Sequence, residues 1–340
     1  MLISNGGSCM DHQQLSFAGL TATLKAAGEP TRLRILALLA EAELTVSDLT
    51  EILRQSQPRL SRHLRLLTEA GLVDRFREGS WAFFRLGERG GAAELARALI
   101  GRLKTDDAIV LRDRERLTAV RTSRAAAAQN YFRRHAAEWD RIRRLHVADA
   151  AVESAIRTAL ADKPIRSLLD LGTGTGRMLE LFGADIERGL GLDLSLDMLA
   201  LARARLDRAG LKHCSVRHGD IYDLALPRDS FDVVIIHQVL HFLDDSARAI
   251  AEAARVLRPG GRLLVVDFAP HDLEFLREEH AHRRLGFAAE TVRQWLEAAG
   301  LDVLRQETLP PGPQGKIAVS LWLGRDPRIV LAAPASREVA

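Results

Sequence analysis

The chain has 340 residues, 47% apolar and 27% charged, the balance of a water-soluble globular protein long enough for two separate cores. No run approaches roughly eighteen uninterrupted apolar residues, and no charged n-region with an apolar stretch opens the chain, so neither a spanning helix nor a signal peptide is expected and the cytoplasm is. Two cysteines, Cys9 and Cys214, are too few for a disulfide framework or a cysteine-built metal cluster.

The net charge of +3 hides an asymmetry. Residues 1–100 hold twelve basic against eleven acidic side chains, residues 101–150 twelve against seven, and residues 151–340 twenty-four against twenty-seven. Nucleic acid is therefore an expected partner of the first half and not of the second. The basic residues are nearly all Arg, with five Lys, and codon bias explains that preference as well as selection does.

Residues 1–14 read as a polar lead-in. Leu15 to Ala27 has helical spacing and breaks at Gly28-Glu29-Pro30. Thr31 is the expected cap of a second helix, Arg32 to Ala40, with Leu33, Ile35, Leu36, Leu38 and Leu39 inward. Thr45-Val46-Ser47-Asp48 reads as a capping box, opening a helix to about Leu53. After a turn at Arg54-Gln55-Ser56, a basic helix with Pro58 in its first turn runs to Gly71. Leu60, Leu64 and Leu67 fall on its inner side. Gln57, Arg59, Ser61, Arg62, His63 and Arg65 are its candidate DNA contacts. Val73 to Glu78 and Trp81 to Leu86 read as a hairpin about Gly79-Ser80, with Arg75 and Arg77 as candidate phosphate contacts. The order is that of an α+β winged helix-turn-helix. A basic helix alone fits a solvated bundle face equally well; the hairpin and the turn spacing favour DNA.

Gly28-Glu29-Pro30-Thr31-Arg32, Ser56-Gln57-Pro58, Ser61-Arg62-His63-Leu64 and Ala70-Gly71-Leu72-Val73 resemble the arsenic-repressor (ArsR/SmtB) family over roughly residues 15–100. The resemblance implies binding to a double-stranded DNA operator as a homodimer joined through terminal helices, for which Leu95 to Leu103 and Val110 to Arg144 are candidates. Metal-responsive members carry two cysteines where Thr45 and Ser47 stand here, so soft-metal sensing is not expected. Residues 104–160 read as a helical linker. Tyr131, His135 and Trp139 share one helical face within it, either as a lid over a substrate or as ordinary packing.

The most informative stretch is Ile165 to Asp193. An apolar run ends in Asp170, followed by Gly172, Gly174 and Gly176, a helical segment from Met178 to Phe182, and a second apolar run ending in Asp193. This is the start of a βαβ unit with a small molecule at the strand ends. A dinucleotide fingerprint, G-x-G-x-x-G, would need a third glycine where Arg177 stands. The tight bend beside Asp170 suits an ammonium-bearing ligand, and Asp193 suits the two hydroxyls of a ribose. A ligand-free turn and a nicotinamide site are the alternatives. Downstream, Ser195 to Leu206 reads as a helix and Cys214 to Ile221 as a strand containing Asp220. Phe231 to His237 reads as a central strand and Val256 to Asp267 as a turn and fifth strand. Phe287 to Gly300 reads as a helix and Lys316 to Leu323 as an antiparallel edge strand, with a tail beyond residue 325.

The acid-x-G-x-G-x-G motif and Arg258-Pro259-Gly260-Gly261 resemble the class I S-adenosylmethionine-dependent methyltransferases over roughly 160–325. That implies a Rossmann-like α/β domain with S-adenosyl-L-methionine as cofactor. The implied contacts are Asp170, Gly172, Gly174, Gly176, Asp193, Leu194, Met198, Asp220, Ile221 and His237, with Asp220 and Ile221 at the adenine. Methyl transfer is an in-line displacement, and a base helps only where the acceptor must lose a proton. His237, His241 and Tyr131 are the catalytic candidates, with His135 and His271 behind them; each is also explained as a pocket-lining residue. No metal ligand set is expected, since His280 and His282 are misplaced for one helical face. Two distant cysteines speak against arsenite as acceptor and leave a small organic molecule. The expectation is a DNA-binding transcriptional regulator carrying a methyltransferase domain, or a sensor in which the cofactor or its product controls operator binding. The expected boundaries are 15–103, 104–160, 161–325 and 326–340.

Overall fold

The computed structural model describes residues 14–78, 81–87, 89–136, 139, 149–311 and 317–328. It divides into two units, residues 1–124 and 125–340, so the segment expected as a linker is shared between them. The lead-in apart from Gln14, the hairpin turn at 79–80 and the tail beyond 328 lie outside the described residues.

In the first unit, α1 is Phe17–Ala27 and α2 is Pro30–Leu39. The cap of α2 is Glu29 rather than Thr31: its carboxylate accepts from the Arg32 N–H at 2.9 Å, and Pro30 occupies the first turn, where no N–H partner exists. β1, Leu44–Thr45, leads into α3, Val46–Leu53, through the expected capping box. The Asp48 N–H donates to Thr45 Oγ1 at 3.2 Å, and the Thr45 N–H donates to Asp48 Oδ2 at 2.9 Å. α4 is Gln57–Glu69; Ser56 precedes it but its hydroxyl makes no capping bond. Leu60, Leu64 and Leu67 are buried in the core, the i, i+4, i+7 stripe of an amphipathic helix. β2, Val73–Glu78, and β3, Trp81–Leu86, pair antiparallel, with β1 on the other side of β3. α5 is Gly91–Ile100 and α6 is Ala108–His135.

The arginines at the start of α6 point into the unit. Both Arg34 nitrogens donate to Asp113 at 2.6 Å, and Asp113 is buried. Arg114 pairs with Glu41 at 2.5 Å, Arg116 donates to the Ile52 carbonyl, Arg121 to the Glu41 carbonyl, and Arg124 meets Asp48. Leu117 and Val120 join the same core as α2, α3 and α4. Arg114, Arg116, Arg121 and Arg124 are therefore met by protein acceptors in charge-assisted bonds, while Arg112 is exposed.

The second unit begins with α7, Asp149–Leu160, followed by β4, Ser167–Leu171, α8, Arg177–Phe182, β5, Arg188–Asp193, and α9, Leu196–Arg208. β6, Cys214–His218, and β7, Phe231–His237, lead to a 3₁₀ turn, Leu240–Phe242. Then come α10, Ser246–Arg255, β8, Leu257–Phe268, α11, Phe275–Glu279, α12, Ala289–Ala298, β9, Asp302–Leu309, and β10, Val319–Arg325. The sheet order is β6-β5-β4-β7-β8-β10-β9, parallel through β8, with β10 antiparallel to both neighbours. Alternate residues feed two cores: Leu168, Val233, Ile235 and Leu264 face one side, Leu169, Val234, Ile236 and Val265 the other.

One expectation for the sheet needs correction. β10 is not the edge; it lies between β8 and β9 and is buried over nearly its whole length. The edge is β9, which carries Asp302, Arg305, Gln306 and Glu307 and alternates exposed with half-buried residues, the polar pattern of a strand solvated on one side. Among the described residues no helix is long and apolar enough to cross a membrane.

Asp48→Ala removes the α3 capping box together with the partner of Arg124 and should cost about 2 kcal/mol, whereas Arg124→Ala should cost less because the cap survives. Urea denaturation followed by far-UV circular dichroism measures both; equal losses would show that the cap contributes nothing of its own.

Candidate functional site

β4 lies between β5 and β7, where the chain reverses its direction of winding, and the crevice at the carboxyl ends of these strands is the ligand position of such sheets. Between β4 and α8 the chain turns on Gly172, Gly174 and Gly176, with φ of +70°, +52° and +81°. The three glycines do different work. A Cβ on Gly172 would lie 2.4 Å from Val239 Cγ2, and one on Gly176 would lie 3.2 Å from Ala202 Cβ, so the fold itself needs these two. Around Gly174 the nearest atom to such a Cβ is Trp139 Nε1 at 3.6 Å, an ordinary contact distance without a clash.

Asp193, at the end of β5, holds the bend in place. Its Oδ2 accepts from the Gly174 N–H at 2.8 Å and its Oδ1 from the Ser195 N–H at 2.8 Å. Burial pushes its carboxyl above the usual carboxylate range. Each oxygen keeps a second lone pair for a ligand hydroxyl. Ser195 then caps α9 by accepting from the Met198 N–H, and Met198 is buried. Asp170 is only 2% exposed, and its Oδ2 accepts the Thr173 hydroxyl at 2.6 Å. That bond braces the bend. Leu194 is half-buried and Ile221 buried. β6 stops at His218, so Asp220 sits in a turn beyond it, exposed, accepting from the Tyr222 N–H.

Next to the bend is a cavity walled by Tyr131 and Trp139, by Gln238, His241 and Phe242 after β7, by Phe268 at the end of β8, and by Leu276, His280, His282 and Ile317. Of the helical face expected as a lid, Tyr131 and Trp139 reach this wall. His135 does not; its ring lies 4.5 Å from Tyr131. Phe132 takes its place, edge-on to Trp139 and to Phe242. The Tyr131 hydroxyl is 2.6 Å from His280 Nδ1, and burial pushes that hydroxyl up to about 12.

His237 ends β7 opposite Val266 and is not part of the wall; Gln238 is. His241 is buried, and its Nδ1 lies 2.7 Å from Oδ1 of the fully buried Asp267, which also accepts from the Phe268 N–H. A carboxylate only accepts, so Nδ1 carries the proton and Nε2 is the basic nitrogen. His271 lies outside the wall, and burial draws it down to about 4. Sequence reasoning missed Asp267, Gln238, His280 and His282 as wall or support. One signal was present for Asp267: β8 ends near an acid, as β4 and β5 do. His280 and His282 follow the end of α11, so the helical spacing used against them does not apply.

On the first unit Gln57, Arg59, Ser61, Arg62 and Arg65 are exposed on α4, as are Arg75 and Arg77 on β2. Arg65 Nε is 3.7 Å from Glu69. His63 is turned inward, half-buried and 3.6 Å from the Glu29 carboxylate; burial lowers its pKa. It packs at the cap of α2 and drops out of the DNA-facing set.

Two families match separate parts of the sequence: the bacterial regulatory proteins of the arsR family over residues 29–75, and the methyltransferase domain over residues 169–265. The chain joins an arsR-family helix-turn-helix to a methyltransferase domain. Over 193 residues it is 35% identical to a protein named a probable S-adenosylmethionine-dependent methyltransferase from Mycolicibacterium smegmatis, covering 55% of this chain and 65% of that one. Over 111 residues it is 40% identical to the arsenite methyltransferase of Aquipseudomonas alcaligenes, covering 29% and 32%. The solved structure of the N-methyltransferase NodS from Bradyrhizobium japonicum, with S-adenosyl-L-homocysteine bound, is similar at a TM-score of 0.44 and 21% identity, covering 53% of this chain and 87% of that one. The chain thus spans less than two thirds of the length of these two curated relatives.

S-adenosylmethionine is the cofactor of the methyltransferase domain. The residues present fit it at Asp193, which stands at the bend with acceptor capacity for ribose hydroxyls.

Gly172→Ala adds a Val239 clash to a left-handed backbone and should cost about 3 kcal/mol, whereas Gly210→Ala, at φ +69° with open space around it, should cost about 1 kcal/mol. Thermal unfolding of the two variants checks the order; the reverse order would remove the close approach at Gly172.

Proposed function

We propose that this chain is a DNA-binding transcriptional regulator whose second domain transfers a methyl group from S-adenosylmethionine to a small organic acceptor. The observation that carries the reading is the half-buried Asp193 carboxylate locked to the Gly174 amide beside a walled cavity. A cofactor and an acceptor are thereby given adjoining places. In such a site the protein's part is to hold the acceptor in line and keep water out. The proposed boundaries are 15–103 for a winged helix-turn-helix, 104–160 for a linker and lid, and 161–325 for the methyltransferase domain. The protein acts in the cytoplasm as a homodimer on a palindromic operator, with recognition helices one DNA turn, about 34 Å, apart.

Arsenite is disfavoured as the acceptor by the wall itself. It contains no cysteine, and Cys214 lies buried in β6 with its thiol pushed up by burial. DNA binding rests on Arg59, Arg62 and Arg65, exposed at successive turns of α4 while Leu60, Leu64 and Leu67 are buried. A second reading, control of operator affinity by the cofactor or its product, is favoured by α6. The same helix carries Asp113 paired with Arg34 of α2, Arg124 paired with Asp48 of α3, and the tyrosine of the cavity wall.

Calorimetric titration should show S-adenosylmethionine binding, weakened at least about tenfold by Asp193→Ala. Because burial raises the Asp193 pKa, protonation on acidification removes acceptor capacity, so affinity should fall as pH drops through that raised value and be constant well above it. No heat with the wild-type chain sinks the methyltransferase reading. Arg62→Ala should weaken operator binding and reduce its salt slope by about one, with unchanged heat for the cofactor. Loss of both functions together would mean a folding defect. The same binding assay with and without S-adenosylmethionine decides whether the two domains are coupled.

A further inference from the structure

The cavity beside the glycine bend is specific enough to name an acceptor class. We propose that it takes a neutral aromatic hydroxyl compound, a phenol, whose O–H is deprotonated by Nε2 of His241 and whose ring is oriented by the side-chain amide of Gln238. This rests on the methyltransferase reading above.

Three independent features converge on that class. First, His241 and Asp267 are 2% and 0% exposed, and the imidazole is fixed on several sides. Its Nδ1 edge is held by Asp267, its ring contacts Phe242, Phe268 and His282 at centroid distances of 4.0, 4.6 and 4.3 Å, and its carbonyl accepts from the Arg283 and Arg284 N–H groups. A histidine held this way cannot turn its protonated edge toward the cavity. It is kept as a base, with a carboxylate behind it to stabilise the imidazolium that forms.

Second, Gln238 is 6% exposed and its Nε2 has no partner among the described residues. The residue also sits at φ +55°, a left-handed backbone that a non-glycine residue adopts at a cost, with its own N–H fixed to the Val266 carbonyl at 2.7 Å. A buried amide donor left unpaired is unfavourable, and a bound oxygen would satisfy it. Third, the wall is flat and uncharged. Trp139, Phe242, Phe268 and His282 supply ring faces and edges, and among the described lining residues there is no Lys, Arg, Asp or Glu. A carboxylate acceptor would lose its hydration with nothing to replace it. A neutral aromatic ring would not. Trp139 also lies against Gly174, which puts this wall next to the glycine bend.

The step balances without any further reactant. The phenolic proton passes to Nε2 of His241, and the oxygen's electron pair forms the new bond to the methyl carbon. The carbon–sulfur bond breaks, its pair staying on sulfur, which goes from sulfonium to neutral thioether. The imidazolium, facing Asp267, then returns its proton to water. A phenol has a pKa of about 10, so at neutral pH the base is needed. The other titratable groups near His241 are His282 against its ring, His271 behind Phe268 and the Tyr131–His280 pair across the cavity.

The test uses the full chain with phenol and 4-nitrophenol, the second being far more acidic and visibly coloured when ionised. Without cofactor, the wild type should bind 4-nitrophenol and increase its phenolate absorbance, and His241→Asn should bind it without that change. With S-adenosylmethionine, His241→Asn should slow methylation of phenol about 10²-fold or more and that of 4-nitrophenol far less, since the latter arrives ionised. Asp267→Asn should follow the same pattern more weakly. Gln238→Leu, which leaves the dyad in place and so covers the case in which His241→Asn does not fold, should raise KM for both phenols at least tenfold. Equal slowing of both phenols by His241→Asn, unchanged KM in Gln238→Leu, or methylation of benzylamine with both phenols inert would overturn the proposal. Cofactor heat without phenol binding overturns this acceptor class alone; absence of cofactor heat overturns the methyltransferase reading beneath it.

Discussion

The contact between the Asp193 carboxylate and the Gly174 amide is the constraint on which the catalytic unit turns. It joins the ends of two parallel strands across a bend that no side chain but hydrogen can follow. Gly172 must pass Val239 and Gly176 must pass Ala202, while between them Gly174 lies against Trp139. Asp170, closed off by Thr173, stiffens the same turn from the β4 side. The result is an acidic, preformed edge whose shape does not depend on a ligand. The low dielectric around Asp193 strengthens each hydrogen bond it makes.

That arrangement was legible in the sequence because it is local. Acids and glycines at fixed spacing, a capping box at Thr45 and Asp48, and leucines at helical intervals in α4 all act over one or two turns of chain. What was hidden is long-range or ambiguous in polarity. His241 meets Asp267 across 26 residues, and no periodicity links them. β9 escaped notice because its charged residues match no buried strand, although an edge strand needs only one apolar side. His63 looked like one more polar residue on a basic helix until Glu29 proved to be the cap it packs against.

The arginines teach a related lesson about charge. The excess over residues 101–150 suggested nucleic acid, yet Arg114, Arg116, Arg121 and Arg124 of early α6 are occupied by Glu41, Asp48 and backbone carbonyls. Net charge counts side chains without knowing their partners. Position on an exposed helix face, as for Arg59 and Arg62, is the better guide to a surface that meets phosphates.

α6 changes its mode of attachment along its length, and that has a physical consequence. Up to Arg124 it is held by ion pairs and two apolar anchors, Leu117 and Val120. From Tyr131 it is held by aromatic edges against Phe242, Trp139 and His280. The two kinds of contact respond to different conditions. Partly exposed ion pairs weaken as salt rises, whereas ring packing depends on apolar area removed from water and on what fills the neighbouring space. An aromatic molecule entering the cavity would touch the rings of Tyr131 and Trp139 and none of the arginine pairs. Under the proposed coupling, a packing change at the aromatic end of this helix would be read where its attachment is electrostatic, at Arg34 of α2 and Asp48 of α3.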